Sequence, residues 1–467
     1  MEKKENRGSF TGSLGFVLAA AGSAVGLGNI WRFPYLAAKD GGGIFLVTYL
    51  VLALTFGFTL LVTEIAIGRK TGKSPLAAYA AIHPKMGWIG PIACLIPQII
   101  MPYYCVIGGW VMKYLFAYLT GNGSAAVADG YFTGFITAQW SPIIWFLIFL
   151  GATVFVVYKG VDKGIEKLSR ILMPILVILI FGIAIFSLTL QSDASGVTRT
   201  GLQGLAVYLI PNFDGMTLKQ FLVVLTDAMG QLFYSISVAM GIMITYGSYV
   251  KKETNMVKSV NQIEIFDTAV AFLAGLMIIP AVFTFMGPEG LSASGPSLMF
   301  VSLPKVFNEM GPFIGTVVGI IFFLTVAFAA LTSSVSIMEA VVSSFMDRFH
   351  IDRKKGVILV TLITLLLGVL VCLGYNVLYF DAVLPNGSVG QILDIMDYIS
   401  NYVLMPVVSI ATCIYIGWLV KPQTIIDEAT INGEKFSRKA LYTVMVKYVT
   451  PAMLLLLLLQ ALGIVKL

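Results

Sequence analysis

Charge is scarce in this chain. Only 12% of its 467 residues are Asp, Glu, Lys or Arg, and 58% are hydrophobic. An ordinary soluble domain carries roughly 25% charged residues, so water is not the main solvent here. Histidine and cysteine are scarcer still. The two histidines, His83 and His350, fall in predicted loops and match neither HExxH nor a catalytic triad. The four cysteines, Cys94, Cys105, Cys372 and Cys413, sit singly inside apolar runs with no CxxC pair. Neither a disulfide framework nor a zinc site is indicated. No P-loop is present, so direct use of ATP is not expected, and no nucleophile and base stand at usable spacing, so the chain does not read as an enzyme. A formal net charge of +6 invites a nucleic-acid reading. The basic residues, however, lie in short clusters between apolar runs rather than along one face. No nucleic-acid partner and no obligatory protein partner is indicated.

What the sequence does have is long apolar runs. About 20 helical residues cross the roughly 30 Å hydrocarbon core of a bilayer. Runs of that length occupy approximately 11–38, 42–68, 88–119, 141–158, 164–190, 218–250, 259–287, 312–347, 355–374, 390–420 and 440–465, eleven spans in a lipid bilayer. With a cytoplasmic N-terminus, 22 of the 30 lysines and arginines fall in inside segments. Lys39, Arg199, Lys219, Lys305 and Lys466 fall outside, and Arg32, Lys113 and Lys447 fall within spans. The positive-inside rule therefore predicts a multi-pass protein of the cell membrane, N-terminus cytoplasmic and C-terminus outside. Lys3, Lys4 and Arg7, followed by an apolar stretch with the string Ala19-Ala20-Ala21-Gly22-Ser23-Ala24, also look like a cleavable signal peptide. Cleavage would remove the segment richest in functional signals, so the span reading is preferred.

No linker or charge block divides the sequence, which reads as one transmembrane domain over 1–467, with short amphipathic pieces near 201–209 and 297–308 in outer loops. The first and sixth spans share an anomaly. Each is interrupted by small and polar residues, Ala21-Gly22-Ser23-Ala24-Val25-Gly26-Leu27-Gly28-Asn29 in one and Ser235-Ile236-Ser237-Val238-Ala239-Met240-Gly241 in the other. Glycine costs a helix about 1 kcal/mol relative to alanine, so such clusters mark places where a helix unwinds. Unwound backbone at membrane depth must be buried in protein or face a polar cavity. Five spans beginning with a broken one, then five more beginning with another, match an inverted repeat whose site lies at the repeat interface. The repeats cover about 11–190 and 218–420, and the last helix, about 440–465, lies outside them.

An unwound helix offers free N–H groups at one end of the break, suited to a carboxylate, and free carbonyls at the other, suited to a hard cation. Asn29, Ser235, Ser237, Thr332, Ser333 and Ser334 add side-chain oxygens near the same depth. An all-oxygen donor set favours sodium or a similar cation. Acidic residues inside spans need a reason to be there, and Glu64, Asp227, Asp267, Glu339 and Asp397 are the candidates. Glu64 and Asp227 are placed near span ends, within reach of water. Asp267 and Glu339 lie deeper and are expected on an ion or proton pathway, with Asp397 as a further candidate.

The stretch Gly22-Ser23-Ala24-Val25-Gly26-Leu27-Gly28-Asn29-Ile30-Trp31-Arg32-Phe33-Pro34, followed by Gly41-Gly42-Gly43, closely resembles the first helix of the neurotransmitter:sodium symporter family. Further similar motifs are Glu64-Ile65-Ala66-Ile67-Gly68-Arg69, Tyr103-Tyr104, Gly230-Gln231-Leu232-Phe233, Leu331-Thr332-Ser333-Ser334 and Asp394-Ile395-Met396-Asp397. The resemblance covers nearly the whole chain and is strongest to bacterial members that carry hydrophobic amino acids. It implies an all-α membrane protein with the LeuT-like five-plus-five inverted repeat, and sodium-coupled symport of a hydrophobic or aromatic amino acid. By that resemblance a second sodium site uses the carbonyls of Gly22, Val25 and Ala329 with the hydroxyls of Thr332 and Ser333. The first uses the Ala24 carbonyl, Asn29, Ser235, Asp267 and the substrate carboxylate. The substrate is expected among Ala24, Leu27, Gly28, Ile100, Tyr104, Tyr234, Ser235, Ser237, Met240, Ser333 and Ile337. An outer gate maps to Arg32 and Asp397 and an inner gate to Arg7 and Asp347, with Tyr249 beside it. Gly164 and Pro174 match a Gly-X9-Pro pattern tied to unwinding of the fifth helix.

Departures from the family pattern are Phe10 for an inner-gate tryptophan, Ser23 for an asparagine, and Asp267 where an asparagine often serves the first sodium site. Asp267 would supply the fixed negative charge that chloride supplies in chloride-dependent relatives, so no chloride requirement is expected. A proton-coupled carrier and a nontransporting amino acid sensor are the alternative readings.

Overall fold

In the computed structural model, residues 8–193, 197–213, 216–293 and 295–466 are described. Nine helices among them are long and apolar enough to cross a membrane: Gly43–Thr71, Pro84–Leu119, Ser141–Tyr158, Val161–Leu188, Met256–Gly290, Pro312–Phe349, Arg353–Leu373, Ile392–Leu419 and Lys439–Ala461. A further span is the pair Ser13–Ala24 and Gly28–Lys39, bent by 53°. The sixth predicted span is Leu218–Ser235 followed by Ile242–Ser248, with no helix over 236–241. Each of the eleven predicted spans thus has its counterpart, and the two anomalous ones are the two that break. The first break is narrower than its sequence signal, because the helix holds through Ala24 and only Val25 and Gly26 depart from it. The face that the charge bias assigns to the cytoplasm is the inner face below.

The amphipathic pieces form Gly201–Leu209 and, in one continuous turn, Leu298–Ser302 with Leu303–Glu309. Capping boxes fix where two helices begin: the Thr200 hydroxyl accepts from the Gln203 N–H, and Thr217 does the same for Gln220, each pair satisfying two otherwise orphaned donors. The triple glycine has a steric cause. Gly42 bridges to Pro211, and a Cβ on Gly42 would lie 2.3 Å from the Val207 carbonyl oxygen. Only a glycine lets this loop lie against the 201–209 helix.

Side chains on the outer surface of the spans are apolar and exposed, among them Val47, Ile178, Phe181 and Leu366. In water such a surface would be an aggregation hazard; on helices of this length it is a lipid face. Polar atoms are turned inward, and the deepest of them gather where the two breaks meet.

Candidate substrate and ion site

Where the first helix breaks, its carbonyls lose their usual partners. The Gly26 N–H, which in a continuous helix would donate to the Gly22 carbonyl, donates instead to Asn29 Oδ1 at 3.2 Å. The freed carbonyls turn to the eighth span. Ser333 Oγ lies 3.4 Å from the Gly22 oxygen, 3.1 Å from that of Ser23 and 3.2 Å from that of Val25. The adjacent Thr332 bonds back along its own helix, Oγ1 lying 3.1 Å from the oxygens of both Phe328 and Ala329. The carbonyls of Gly22 and Val25 on the first span thus meet Ser333 on the eighth, where Thr332 and Ala329 are its near neighbours in sequence. Oxygens held at roughly 2.3–2.6 Å from a hard cation stand about 3.3–3.7 Å apart at right angles, close to the 3.1–3.4 Å between Ser333 Oγ and the three carbonyl oxygens.

A second oxygen group lies beside it. Asp267 is fully buried, and its Oδ1 accepts from Asn29 Nδ2 at 2.9 Å and from Ser235 Oγ at 2.8 Å. Ser235 Oγ also stands 3.1 Å from Asn29 Oδ1. Three residues from the first, sixth and seventh spans meet here, separated by up to 238 positions in sequence. Tyr49 adds its hydroxyl 3.5 Å from Asp267 Oδ2. No ion pair neutralises this carboxylate among the described residues.

The break in the sixth span is strained and clamped. Ser237 and Ala239, neither a glycine, adopt positive φ of 54° and 67°, which costs on the order of 1–3 kcal/mol each unless held. Ser237 Oγ bonds the Ser23 carbonyl at 3.0 Å, and the Ala239 N–H donates to Glu64 Oε1 at 2.5 Å. Glu64 is buried and is a clamp on this break, which corrects its placement near a span end. The sequence hid this because its partner is a backbone amide 175 residues away.

Between the breaks lies a cavity of about 30 Å³, lined on one side by Ala24, Leu27, Gly28 and Ser235 and on the other by Ile100, Tyr104, Tyr234, Ser237, Met240, Ser333 and Ile337. Every residue expected at the substrate position borders it. So do Ser23, Gly26 and Asn29, none of which the sequence reading placed in the substrate set; Asn29 it assigned to the first sodium site. The Tyr104 hydroxyl is buried without a hydrogen bond, an uncommon state for a polar group facing a cavity. Gly28 permits the tight wall, since a Cβ there would fall 2.9 Å from the Tyr234 ring. Gln231, quoted only as part of a motif, holds the Gly28 carbonyl through Nε2 at 3.1 Å; a polar residue on a buried helix face was the available signal.

The gates differ from expectation. Arg32 and Asp397 form no ion pair: the Arg32 guanidinium lies 5.9 Å over the Tyr402 ring, while Asp397 Oδ1 accepts from Tyr103 at 3.1 Å and Asn401 at 2.5 Å. Arg32 instead lines an outer vestibule of about 420 Å³ with Asp227, Tyr234 and Tyr402. Asp227 lies midway along the Leu218–Ser235 helix rather than near its end, and Lys39 Nζ pairs with it at 2.6 Å. Arg7 lies outside the described residues, and Asp347 accepts from the Ser74 N–H at 2.8 Å. Phe10 packs edge-on to Tyr246 and accompanies Tyr249 on the inner side. Glu339 is paired. Both its oxygens are held by Arg353 at 2.7 Å, and Tyr249 donates to it at 2.7 Å. That ion pair bridges the eighth and ninth spans, and its three hydrogen bonds occupy most of the acceptor sites of the Glu339 carboxylate. The Gly164–Pro174 segment is wound, beginning with a wide turn over Val161–Glu166.

Paired helix breaks around a buried, oxygen-lined cavity define a membrane-embedded secondary carrier. The chain belongs to the sodium:neurotransmitter symporter family, whose model matches residues 7–128 and 136–466. It is 34% identical over 464 residues to the uncharacterized sodium-dependent transporter YhdH of Bacillus subtilis, covering 97% of both chains. It is 32% identical to the uncharacterized sodium-dependent transporter MJ1319 of Methanocaldococcus jannaschii, over 88% of this chain and 82% of that one. The human sodium- and chloride-dependent GABA transporter 2 is 28% identical over 76% of this chain and 65% of its own length. Among solved structures, MhsT in complex with L-phenylalanine superposes with a TM-score of 0.84 at 35% identity, covering 97% of this chain and all of that one. The fold is the LeuT-like inverted repeat, and the protein is a multi-pass membrane protein of a sodium-dependent transporter family.

Proposed function

We propose that the protein carries hydrophobic and aromatic L-amino acids with two sodium ions by alternating access, inward across a cell membrane whose cytoplasmic side holds the N-terminus. The observation that carries this reading is that one small cavity between the breaks is bordered by Ser333 from one oxygen group and by Asn29 and Ser235 from the other, with the buried Tyr104 hydroxyl left unpartnered beside the first break. The structural neighbour bound to L-phenylalanine supports the substrate class.

In this reading one ion is held by Gly22, Val25, Ala329, Thr332 and Ser333. The other is held by the Ala24 carbonyl, Asn29, Ser235 and Asp267 together with the substrate carboxylate. A carboxylate that completes a sodium shell makes each ligand favour the other by the same free energy. The amide groups of Leu27 and Gly28 and the Tyr104 hydroxyl receive that carboxylate, and the amino group meets carbonyls near Ala24 and Tyr234. Ile100, Met240 and Ile337 face the side chain. The cavity is small, about 30 Å³, so a large side chain requires Met240 and Tyr234 to move aside. A thioether chain repacks readily, which favours a range of apolar substrates. Each ion supplies about 2.3 kcal/mol per 100 mV and about 1.4 kcal/mol per tenfold gradient, so two supply about 7 kcal/mol. Sodium is expected to favour the outward-open state before substrate arrives.

The test is uptake into proteoliposomes of labelled amino acids from leucine to tryptophan and tyrosine, driven by an inward sodium gradient, with potassium and choline controls. Accumulation of the hydrophobic members only with sodium is the expected result. Uptake that proceeds equally in choline would remove the sodium mechanism and restore the proton-coupled alternative; binding without uptake would favour a sensor. Tyr104→Phe is expected to raise the half-saturating substrate concentration about 10–100-fold, the worth of one hydrogen bond to a charged group. Its sodium binding measured without substrate should be unchanged, and an unchanged substrate affinity would place the carboxylate elsewhere.

A further inference from the structure

On the inner face, a cavity of about 700 Å³ opens where the fourth span turns into the fifth, beside the start of the first helix. Four cationic side chains line it, Lys159, Lys163, Lys167 and Arg170. Only Arg170 has a carboxylate, with Nη2 2.6 Å from Glu166 Oε1. The three lysines make no ion pair among the described residues, although Asp162 shares the wall. Lys159 Nζ sits 4.0 Å over the Phe155 ring. From this basic mouth the exposed apolar side chains Phe155, Ile171, Ile175 and Ile178 run away along the same two helices. A concentrated positive charge joined to a hydrocarbon track matches a ligand with an anionic head and an acyl tail.

The position has a mechanical consequence. Glu166 is buried, and its Oε2 accepts the Thr11 N–H at 2.9 Å while its Oε1 takes the Thr11 hydroxyl. Arg170 Nη2 also reaches Thr11 Oγ1 at 2.8 Å. These three residues tie the start of the first span to the wide turn of the fifth, and Arg170 faces the cavity. We propose that this cavity binds the phosphate headgroup of an anionic lipid of the inner leaflet, and that the phosphate draws Arg170 from Glu166 and loosens the tie on Thr11. The proposal rests on the membrane orientation given above and not on the identity of the transported solute.

Native mass spectrometry of the full chain, equilibrated with phosphatidylglycerol and phosphatidylcholine of the same acyl chains, reads the binding without any transport. The wild type is expected to retain phosphatidylglycerol preferentially, and Lys159→Gln/Lys163→Gln/Lys167→Gln to lose that retention about tenfold or more. The matching Arg substitutions should restore it. Removing three other inner lysines, Lys251→Gln/Lys435→Gln/Lys439→Gln, should leave it within about twofold. Equal loss in both triple variants would reduce the effect to diffuse surface charge and overturn the site. Displacement of the retained lipid by inorganic phosphate at millimolar concentration would show a free-anion site instead, and would overturn the lipid assignment as well.

Discussion

Asp267→Asn is expected to raise the sodium concentration for half-maximal uptake about 30–100-fold, and to make the residual uptake faster in sodium chloride than in sodium gluconate. The wild type should be indifferent to that exchange of anions. Asp267 is a fully buried carboxylate whose two hydrogen-bond donors on Oδ1, Asn29 and Ser235, are both neutral. A buried charge without a partner is expensive, and a sodium ion bound at Asn29 and Ser235 is the compensation that geometry offers. The amide keeps an oxygen but loses the charge. At roughly 2–3 kcal/mol for a charge-assisted contact, the loss corresponds to the stated shift. A small anion entering near Tyr49 would restore part of the field, which is the reason for expecting chloride to help the variant alone. Sodium affinity within threefold of wild type would detach Asp267 from the ion site, and a wild-type uptake that falls in gluconate would overturn the expected chloride independence.

The sequence exposed this region because helix breakage has a local chemical signature. Clustered glycines in the first span and the small polar run Ser235 to Gly241 in the sixth are readable without any partner, and the structure breaks both helices there. Hydroxyls at Thr332 and Ser333 were visible for the same reason, as polar groups at a depth where they need a use. The acids were harder, because a carboxylate's role depends on what faces it from elsewhere in the fold. Glu339 looked like a pathway residue until Arg353, 14 positions on, proved to hold both its oxygens. The outer pair Arg32 and Asp397 carries opposite charges in aligned motifs, yet each has other partners, Tyr402 for Arg32 and Tyr103 with Asn401 for Asp397, and a motif does not specify which contacts are made. Glu64 combines these difficulties, being within a helix and paired with a backbone N–H that exists as a free donor only because another helix breaks.

That pairing leads to the second large effect. Glu64→Leu is expected to reduce sodium-driven uptake at least about 100-fold, while Glu64→Gln retains it within about threefold. The Ala239 N–H has no helical partner and donates to Glu64 Oε1. The glutamine side chain still presents a carbonyl oxygen there, whereas leucine leaves a buried donor unmatched at about 1–3 kcal/mol. The same contact holds Ala239 at its positive φ, so its loss also releases strain of about 1–3 kcal/mol by letting the segment relax. Relaxation would move Ser237 and Met240 at the cavity wall and the Ser237 bond to Ser23. Both variants should reach the membrane, since neither introduces charge into a span, and thermal unfolding of the purified proteins separates a local from a global effect. The leucine variant should fold with a depressed substrate affinity. Equal uptake by the two variants would show that the break holds itself, through Ser237 and Gly241, and that Glu64 only fills space behind it.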